Sequence, residues 1–402
     1  MIKTINKLNV VNLIIIMPLF WVFSGLFYSS SGKKQIGVII FISILVSIVK
    51  YDYKYFLSNF KNNKILWLLL ASIIYALGCY FTIGYSSGSL RALIFSFLFL
   101  IILPKSLCTK KLLYILMLIG SIFSLSYAVW YSFVLGQGRN WPLNVIPFTT
   151  FAAIIGVFSI ILIYFEHSKI RRTMFFFCLF GASLCVMIGQ SRGVWLALIV
   201  AALFCVLILS YRKKANIKLL LPMFLMVLMV GFIAAPKIES RINQTKQEIS
   251  RITSGDYSSS IGLRIKMWSA AIKLSTISPI IGLGDKHEEK FIELYENNTD
   301  SQLQSLIHLT PTHYHMQFLT TLVKSGWIGL LLLILPLIYI TTVFYKERSV
   351  GSLLLFSMVV VYIITGLTDK PLNHAPHIML FWITSYFILN NPEFSRHYKC
   401  IE

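Results

Sequence analysis

Residues 173–210 read TMFFFCLFGASLCVMIGQSRGVWLALIVAALFCVLILS: two apolar runs separated only by Gln190-Ser191-Arg192-Gly193. Each run is about as long as a helix needs to cross a bilayer, roughly 18–22 residues. The apolar side chains follow one another rather than alternating, which does not fit a barrel strand with one lipid face and one polar face. A backbone in lipid must satisfy its own hydrogen bonds, so the remaining solution is the helix. The stretch therefore predicts two membrane-spanning helices joined by a tight turn. Similar runs recur near 9–28, 35–50, 65–83, 90–104, 112–135, 145–165, 217–235, 326–345, 351–367 and 377–390. The fold class that follows is all-α: a polytopic helical membrane protein with about 12 transmembrane helices.

Composition agrees. The 402 residues are 57% hydrophobic and only 13% charged, with a mean hydropathy of +0.75, whereas a soluble domain carries about 25% charged residues. The net charge of +21 would suit a nucleic-acid backbone. However, the basic residues lie in short clusters between apolar runs, where cytoplasmic loops and anionic headgroups explain them, and no nucleic-acid partner is expected. Of six cysteines, Cys79, Cys178, Cys185 and Cys205 fall in apolar runs and act as small hydrophobes. Cys108 and Cys400 lie in segments placed in the cytoplasm, and no disulfide framework or zinc spacing is present. The first apolar run is read as a retained span, because Ser29–Lys34 offers no convincing cleavage site.

An even number of spans puts both termini on one side. That side collects Lys3 and Lys7; Lys50, Lys54, Lys61 and Lys64; Lys105, Lys110 and Lys111; Lys169, Arg171 and Arg172; Arg212, Lys213, Lys214 and Lys218; Lys346 and Arg348; Arg396 and Lys399. The positive-inside rule makes it the cytoplasm. The chain then divides into 1–235 with nine spans, a large outer loop at 236–325, and 326–402 with three spans and a cytoplasmic tail. The loop is not a tether. Ile238, Ile242, Ile249 and Ile252 form a helical stripe, a break follows around Gly255-Asp256, and Leu263–Ile277 is again amphipathic. Ser278-Pro279 and Gly282-Leu283-Gly284 end that helix, and a short one over Phe291–Glu296 precedes Pro311.

Several chemistries drop out. The chain has no P-loop, no Asp-x-Asp pair near an outer surface and no acid in the middle of a span, which argues against nucleotide-driven, metal-dependent and proton-coupled mechanisms. Three outer features remain. Arg192 at the tight turn would ordinarily snorkel to lipid phosphates, or else serve as a guanidinium fork for a bound diphosphate. Arg264, with Lys266 beside it, is either a solvated cation or a second diphosphate clamp aided by a helix N-terminus. In Thr312-His313-Tyr314-His315-Met316-Gln317 two histidines stand at i, i+2. They could be a metal pair, but no third ligand lies nearby. A neutral imidazole also suits proton abstraction from a sugar hydroxyl. Asp369 is an acid at another outer turn, free to pair with Arg192 or Arg264, to orient a histidine, or to face water.

These stretches resemble the bacterial O-antigen ligase family, within a ligase/polymerase superfamily of polytopic glycosyltransferases. Ser191-Arg192-Gly193-Val194-Trp195 is similar to the family's Ser-Arg-Gly-x-Trp turn. Leu263-Arg264 through Ser278-Pro279-Ile280-Ile281-Gly282-Leu283-Gly284 is similar to its Arg-bearing loop helix, and His315 before Ser325-Gly326-Trp327-Ile328-Gly329 to its His…Gly-x-x-Gly signature. Met316 departs from the pattern, since the family has Asn or Ser there. The spacing to Gly326 and Gly329 favours His315 over His313 as the base. The resemblance implies a metal-independent, inverting enzyme of the GT-C class with no cofactor, set in the bacterial inner membrane with its site facing the periplasm. It would move O-antigen from undecaprenyl diphosphate to a sugar hydroxyl of lipid A–core. Arg192 and Arg264 would hold the diphosphate and His315 deprotonate the acceptor, with His313 and Asp369 in support. The alternatives are an O-antigen polymerase using the same donor and, further off, a lipid-linked oligosaccharide transporter.

Overall fold

The computed structural model describes residues 10–28, 32–211, 217–296 and 312–394. Lys3, Lys7, Arg212, Lys213, Lys214, Arg396, Lys399, Cys400 and Pro311, used in the readings above, lie outside the described residues. The described chain is helical, without a β-strand. Its first half holds α1 (Val10–Val22), α2 (Gly25–Tyr28), α3 (Gly32–Lys50), α4 (Tyr53–Lys61), α5 (Lys64–Thr82), α6 (Ser87–Ile102), α7 (Lys110–Val129) and α8 (Val145–Phe165). There follow α9 (Lys169–Ile188), α10 (Arg192–Tyr211), α11 (Ile217–Thr253), α12 (Ser260–Ser275), α13 (His287–Glu296), α14 (Gln317–Glu347), α15 (Val350–Gly366) and α16 (Ala375–Leu389).

Every run expected to span is helical, so the protein is a polytopic helical membrane protein. Among the described residues, eight helices are long and apolar enough to cross a membrane, and α6, α15 and α16 are apolar but shorter. A count of twelve therefore rests on those shorter helices and on α11. The core of the bundle is α8, buried along almost its whole length against α7, α9, α10 and α15. Lipid supplies no hydrophobic drive for helix association, so close approach and dispersion must do it. Small residues permit that approach: a methyl on Gly156 would lie 3.4 Å from Ala182 Cβ and from Leu198 Cδ1. A methyl on Gly181 would lie 2.8 Å from Ser121 Oγ.

The polar excursion is built differently from its sequence outline. The amphipathic stretch expected to begin at Lys237 is the polar end of α11, a single 37-residue helix that runs through Pro236 without ending. The proline removes one donor, yet the helix continues on both sides. Beyond α11, α12 and α13 form a cap with its own core of Met267, Ala270, Ala271, Leu274, Phe291 and Tyr295. Tyr314 and Val323 join that core from the segment leading into α14 and from α14 itself.

What fixes the cap to the bundle is a break in α14. Gly326 sits at φ 56°, ψ −166°, a region essentially reserved for glycine. The backbone groups around the break bond instead to residues 279–283. Trp327 N–H donates to Pro279 O at 2.8 Å, Ile328 N–H to Ile280 O at 3.2 Å, and Leu283 N–H to Val323 O at 2.8 Å. Tyr75 of α5 closes the junction, its hydroxyl donating to Ser325 O at 2.6 Å. The approach is too close for any side chain at two positions. A methyl on Gly326 would sit 2.3 Å from Ile280 O, and one on Gly282 (φ 80°) 2.4 Å from Ser325 N. Replacing Gly326 with Ala should therefore cost at least the roughly 1–3 kcal/mol of backbone strain and prise the cap from α14. Limited proteolysis across 253–283 should accelerate strongly in G326A, while Ile328→Ala, a partly exposed change, should leave cleavage near the parent rate.

Candidate active site

The segment from Thr312 to Met316 works by alternation. Tyr314 turns into the cap core, fully buried, with its hydroxyl 3.1 Å from His287 Nδ1 and its N–H donating to Thr320 Oγ1 at 3.2 Å. His313 and His315 consequently point the other way, their ring centroids 4.3 Å apart. His315 adopts φ 48°, a left-handed conformation uncommon for a non-glycine residue and typical of positions whose geometry is imposed for function. Its Nδ1 is buried with no hydrogen-bond partner among the described residues.

Asp369 faces these histidines. It is buried in the turn after α15, with Oδ1 3.9 Å from His313 Nε2 and Oδ2 3.9 Å from His374 Nε2. Such separations are electrostatic contacts rather than hydrogen bonds. Of the neighbours left open for this acid, it faces the histidines rather than water. Gln317 stitches the two turns together. Its amide donates to Asn373 Oδ1 at 2.7 Å, and its carbonyl accepts from Leu372 N–H at 2.8 Å. Burial alone would raise the Asp369 carboxyl, but His374, the Lys370 N–H and His313 hold it below the usual carboxylate range. His313 is pulled down by burial, then by Lys370 and His315. His315 is lowered by burial first, then by Arg264. Both imidazoles are thus neutral near pH 7.

The absence of a third ligand near the histidine pair in sequence is corrected by the fold. His313, His315 and Asp369 bring one ligand atom each to within 4.8 Å of one another. Ligands on one ion at roughly 2.0–2.2 Å can be at most about 4.4 Å apart, so the group would have to contract to hold a metal. The nearby cations, Lys370 and Arg264, oppose a further positive charge.

The arginines gather on one flank. Arg192, at the start of α10, donates from Nη1 to Thr245 Oγ1 at 2.8 Å and from Nη2 to Glu248 Oε1 at 2.7 Å. Glu248 Oε2 in turn accepts from Ile261 N–H in the first turn of α12, where the helix dipole favours an anion. Arg192 is thus paired with Glu248 rather than with Asp369. Arg264, one turn further along α12, is lowered by burial, while the charge of Asp369 counteracts. Two more arginines join them. Arg139 is lowered by burial, then by Arg241, Arg192 and Arg264, and the buried Nε of Arg241 has no partner among the described residues. Four guanidinium groups within electrostatic reach of each other, with Glu248 between them, form a site suited to a multiply charged anion.

The fold therefore brings together Arg192, Arg264, His313, His315 and Asp369, all five sequence candidates. Arg139, Arg241, Glu248, His374 and Gln317 were missed. Arg241, Thr245 and Glu248 share one face of α11 at i, i+4 and i+7, but such polar spacing is ordinary on an amphipathic helix and singled none of them out. An apolar groove of about 500 Å³ runs along α14 and α15 from Phe318, one turn after His315, to Tyr345.

Fold and site together define a polytopic membrane protein with a cationic, histidine-bearing site beneath a helical cap. Residues 176–334 match the family model described as O-antigen ligase, a stretch that includes Arg192, Arg264, His313 and His315 and ends before Asp369. Over this segment the chain is similar to the O-antigen ligase family. A protein of Haemophilus influenzae described as uncharacterized is 26% identical over 234 residues, covering 56% of this chain. The chain spans 57% of that relative's length.

The lowered pKa of His315 has a measurable sign. Its acid limb lies below the ordinary histidine value of about 6.5, so the ring should stay reactive towards diethylpyrocarbonate below that pH. Arg264→Gln removes a repelling cation and should move the limb upward, as followed by mass spectrometry of the His315 peptide.

Proposed function

We propose that this protein is an O-antigen ligase, an inverting glycosyltransferase that moves O-antigen polysaccharide from undecaprenyl diphosphate to a sugar hydroxyl of lipid A–core. The observation that carries this reading is the neutral His315, with an unpartnered Nδ1, set between Asp369 and the arginine group. In the transfer the acceptor oxygen attacks the anomeric carbon and the bond from that carbon to the diphosphate oxygen breaks. The hydroxyl proton passes to His315, and the negative charge that grows on the leaving diphosphate is met by Arg264 and Arg192. Preorganised cations are effective for this because they need no rearrangement as charge develops.

In this reading His313 and Asp369 are positioning residues. Asp369 steadies the histidine pair and favours the imidazolium that forms when the proton arrives. Arg192 already holds Glu248 and Thr245, but a guanidinium has five N–H donors, so its remaining ones face the incoming diphosphate. The groove from Phe318 to Tyr345 matches the apolar character of an isoprenoid tail. The outer loop expected at 236–325 would lie at the periplasmic face of the inner membrane, with both termini in the cytoplasm.

His315→Ala should lower transfer by about 10²–10⁴-fold, the usual worth of a general base, with lipid-linked polymer accumulating and no long-chain ladder on the core. A ladder shortened to single repeat units would instead mark a polymerase, and a normal ladder would remove His315 from the mechanism. Arg192→Lys keeps the charge but loses the fork. It should fall well below the parent in kcat, measured with purified protein, donor and acceptor in the presence of chelator.

A further inference from the structure

Next to Asp369 in the chain, Lys370 lines a cavity that the transfer chemistry leaves unused. Its volume is about 170 Å³, and it is walled by α5, α6, α14 and α16. Tyr85, Ser86, Thr321, Asn373, Lys324 and Lys370 supply its polar lining. The two lysines are half-buried, and neither ammonium group has an ion pair or a hydrogen bond among the described residues. Asp285 also lines the cavity. Its carboxyl packs against Gly84, where a methyl would lie 2.5 Å from Oδ2, and it does not reach ion-pair distance of either lysine.

Partly buried ammonium groups without a partner are unfavourable, and two that repel each other across one cavity are more so. Burial and then the charge of Lys324 bring Lys370 down to about 8. Asp285 and Glu288 act on Lys324, and Asp369 on Lys370, only from beyond ion-pair distance, so an anion between the two lysines would offset their repulsion. The location is equally specific. Asp369 faces the histidines, and the next residue, Lys370, lines the cavity. Arg264 and Lys370 both act on His315, so the histidine centre lies close to the arginine group and to the lysine-lined cavity.

We propose that this cavity binds a phosphate group on a sugar of the acceptor lipid, with Lys324 and Lys370 as its cationic ligands and the serine, threonine and asparagine groups contacting the sugar. This rests on the glycosyltransferase reading above and deepens it: the donor's diphosphate and the acceptor's phosphate occupy separate flanks. A hydroxyl near the bound phosphate is then directed at His315. The same chemistry is offered by bulk phospholipid headgroups, so the test must separate the two.

The experiment measures equilibrium binding of core-bearing lipid A, intact or chemically dephosphorylated, to the full-length protein in neutral detergent. The parent protein should prefer the intact lipid by tenfold or more, and Lys324→Gln with Lys370→Gln should bind both forms equally. Lys370→Arg should retain the preference. The acceptor KM should rise in the double variant while kcat and the donor KM stay near parent values. Limited proteolysis at the parent rate shows that the fold is intact, and the acid limb of His315 should move upward in Lys370→Gln, because Lys370 is one of the cations that lower it. Equal weakening of both lipid forms by the double variant would overturn the proposal, as would displacement of intact lipid by phosphatidylglycerol at matching concentration. Phosphate discrimination without any transfer by the parent would sink the ligase reading and leave the phosphate site standing. Transfer without discrimination would do the reverse.

Discussion

Gly326 opens α14 at the level where the cap meets the bundle, and the polar groups released there are taken up by the backbone of 279–283. Near a membrane an unsatisfied peptide group is too costly to leave alone, so the break and the strap are mutually required. The first turns of α14, where Gln317 and Thr321 sit, thereby acquire one orientation relative to α12. Since His315 immediately precedes α14 and Arg264 lies on α12, the same junction sets the separation of histidine and arginine. Tyr75 from α5 ties the far wall of the lysine-lined cavity to the same point. Backbone hydrogen bonds that compensate a helix break thus align the histidine, the arginine and the wall of the lysine-lined cavity.

Electrostatics then divides the site into regions of distinct character. Burial lowers the histidines and arginines together, and the few acids present are placed individually. Glu248 moderates the arginines and Asp369 moderates the histidines. The result is a surface strongly complementary to anions at which neutral imidazoles persist near pH 7. A base surrounded by acids would be charged there and unable to accept a proton.

Much of this was legible in linear form. The Ser191–Trp195 turn, the helix from Leu263 to the glycines at 282 and 284, and His315 with the glycines at 326 and 329 each stood out by residue type and spacing. Their partners did not. Glu248 and Arg241 lie on an amphipathic stretch where charges are ordinary. Arg139 sits in a short loop like many others, and His374 and Lys370 follow a span as any flanking polar residues might. Each becomes significant only because α11 passes beside the start of α10, and because Gln317 fastens the 370–374 turn to α14. The continuation of α11 through Pro236 was also hidden, since a proline at the change from apolar to polar residues reads as a terminus.

Continuous apolar runs determined the helical membrane class by themselves, because lipid allows few ways of satisfying a backbone. The candidate residues could be named from the chain as well, though their neighbours could not. Tertiary structure alone decided that Asp369 meets the histidines, that Arg192 pairs with Glu248 and that two lysines face one cavity. The physical reason is range. Backbone satisfaction in lipid is local and can be read along a chain, whereas charge pairing depends on distances of a few ångströms between residues far apart in sequence.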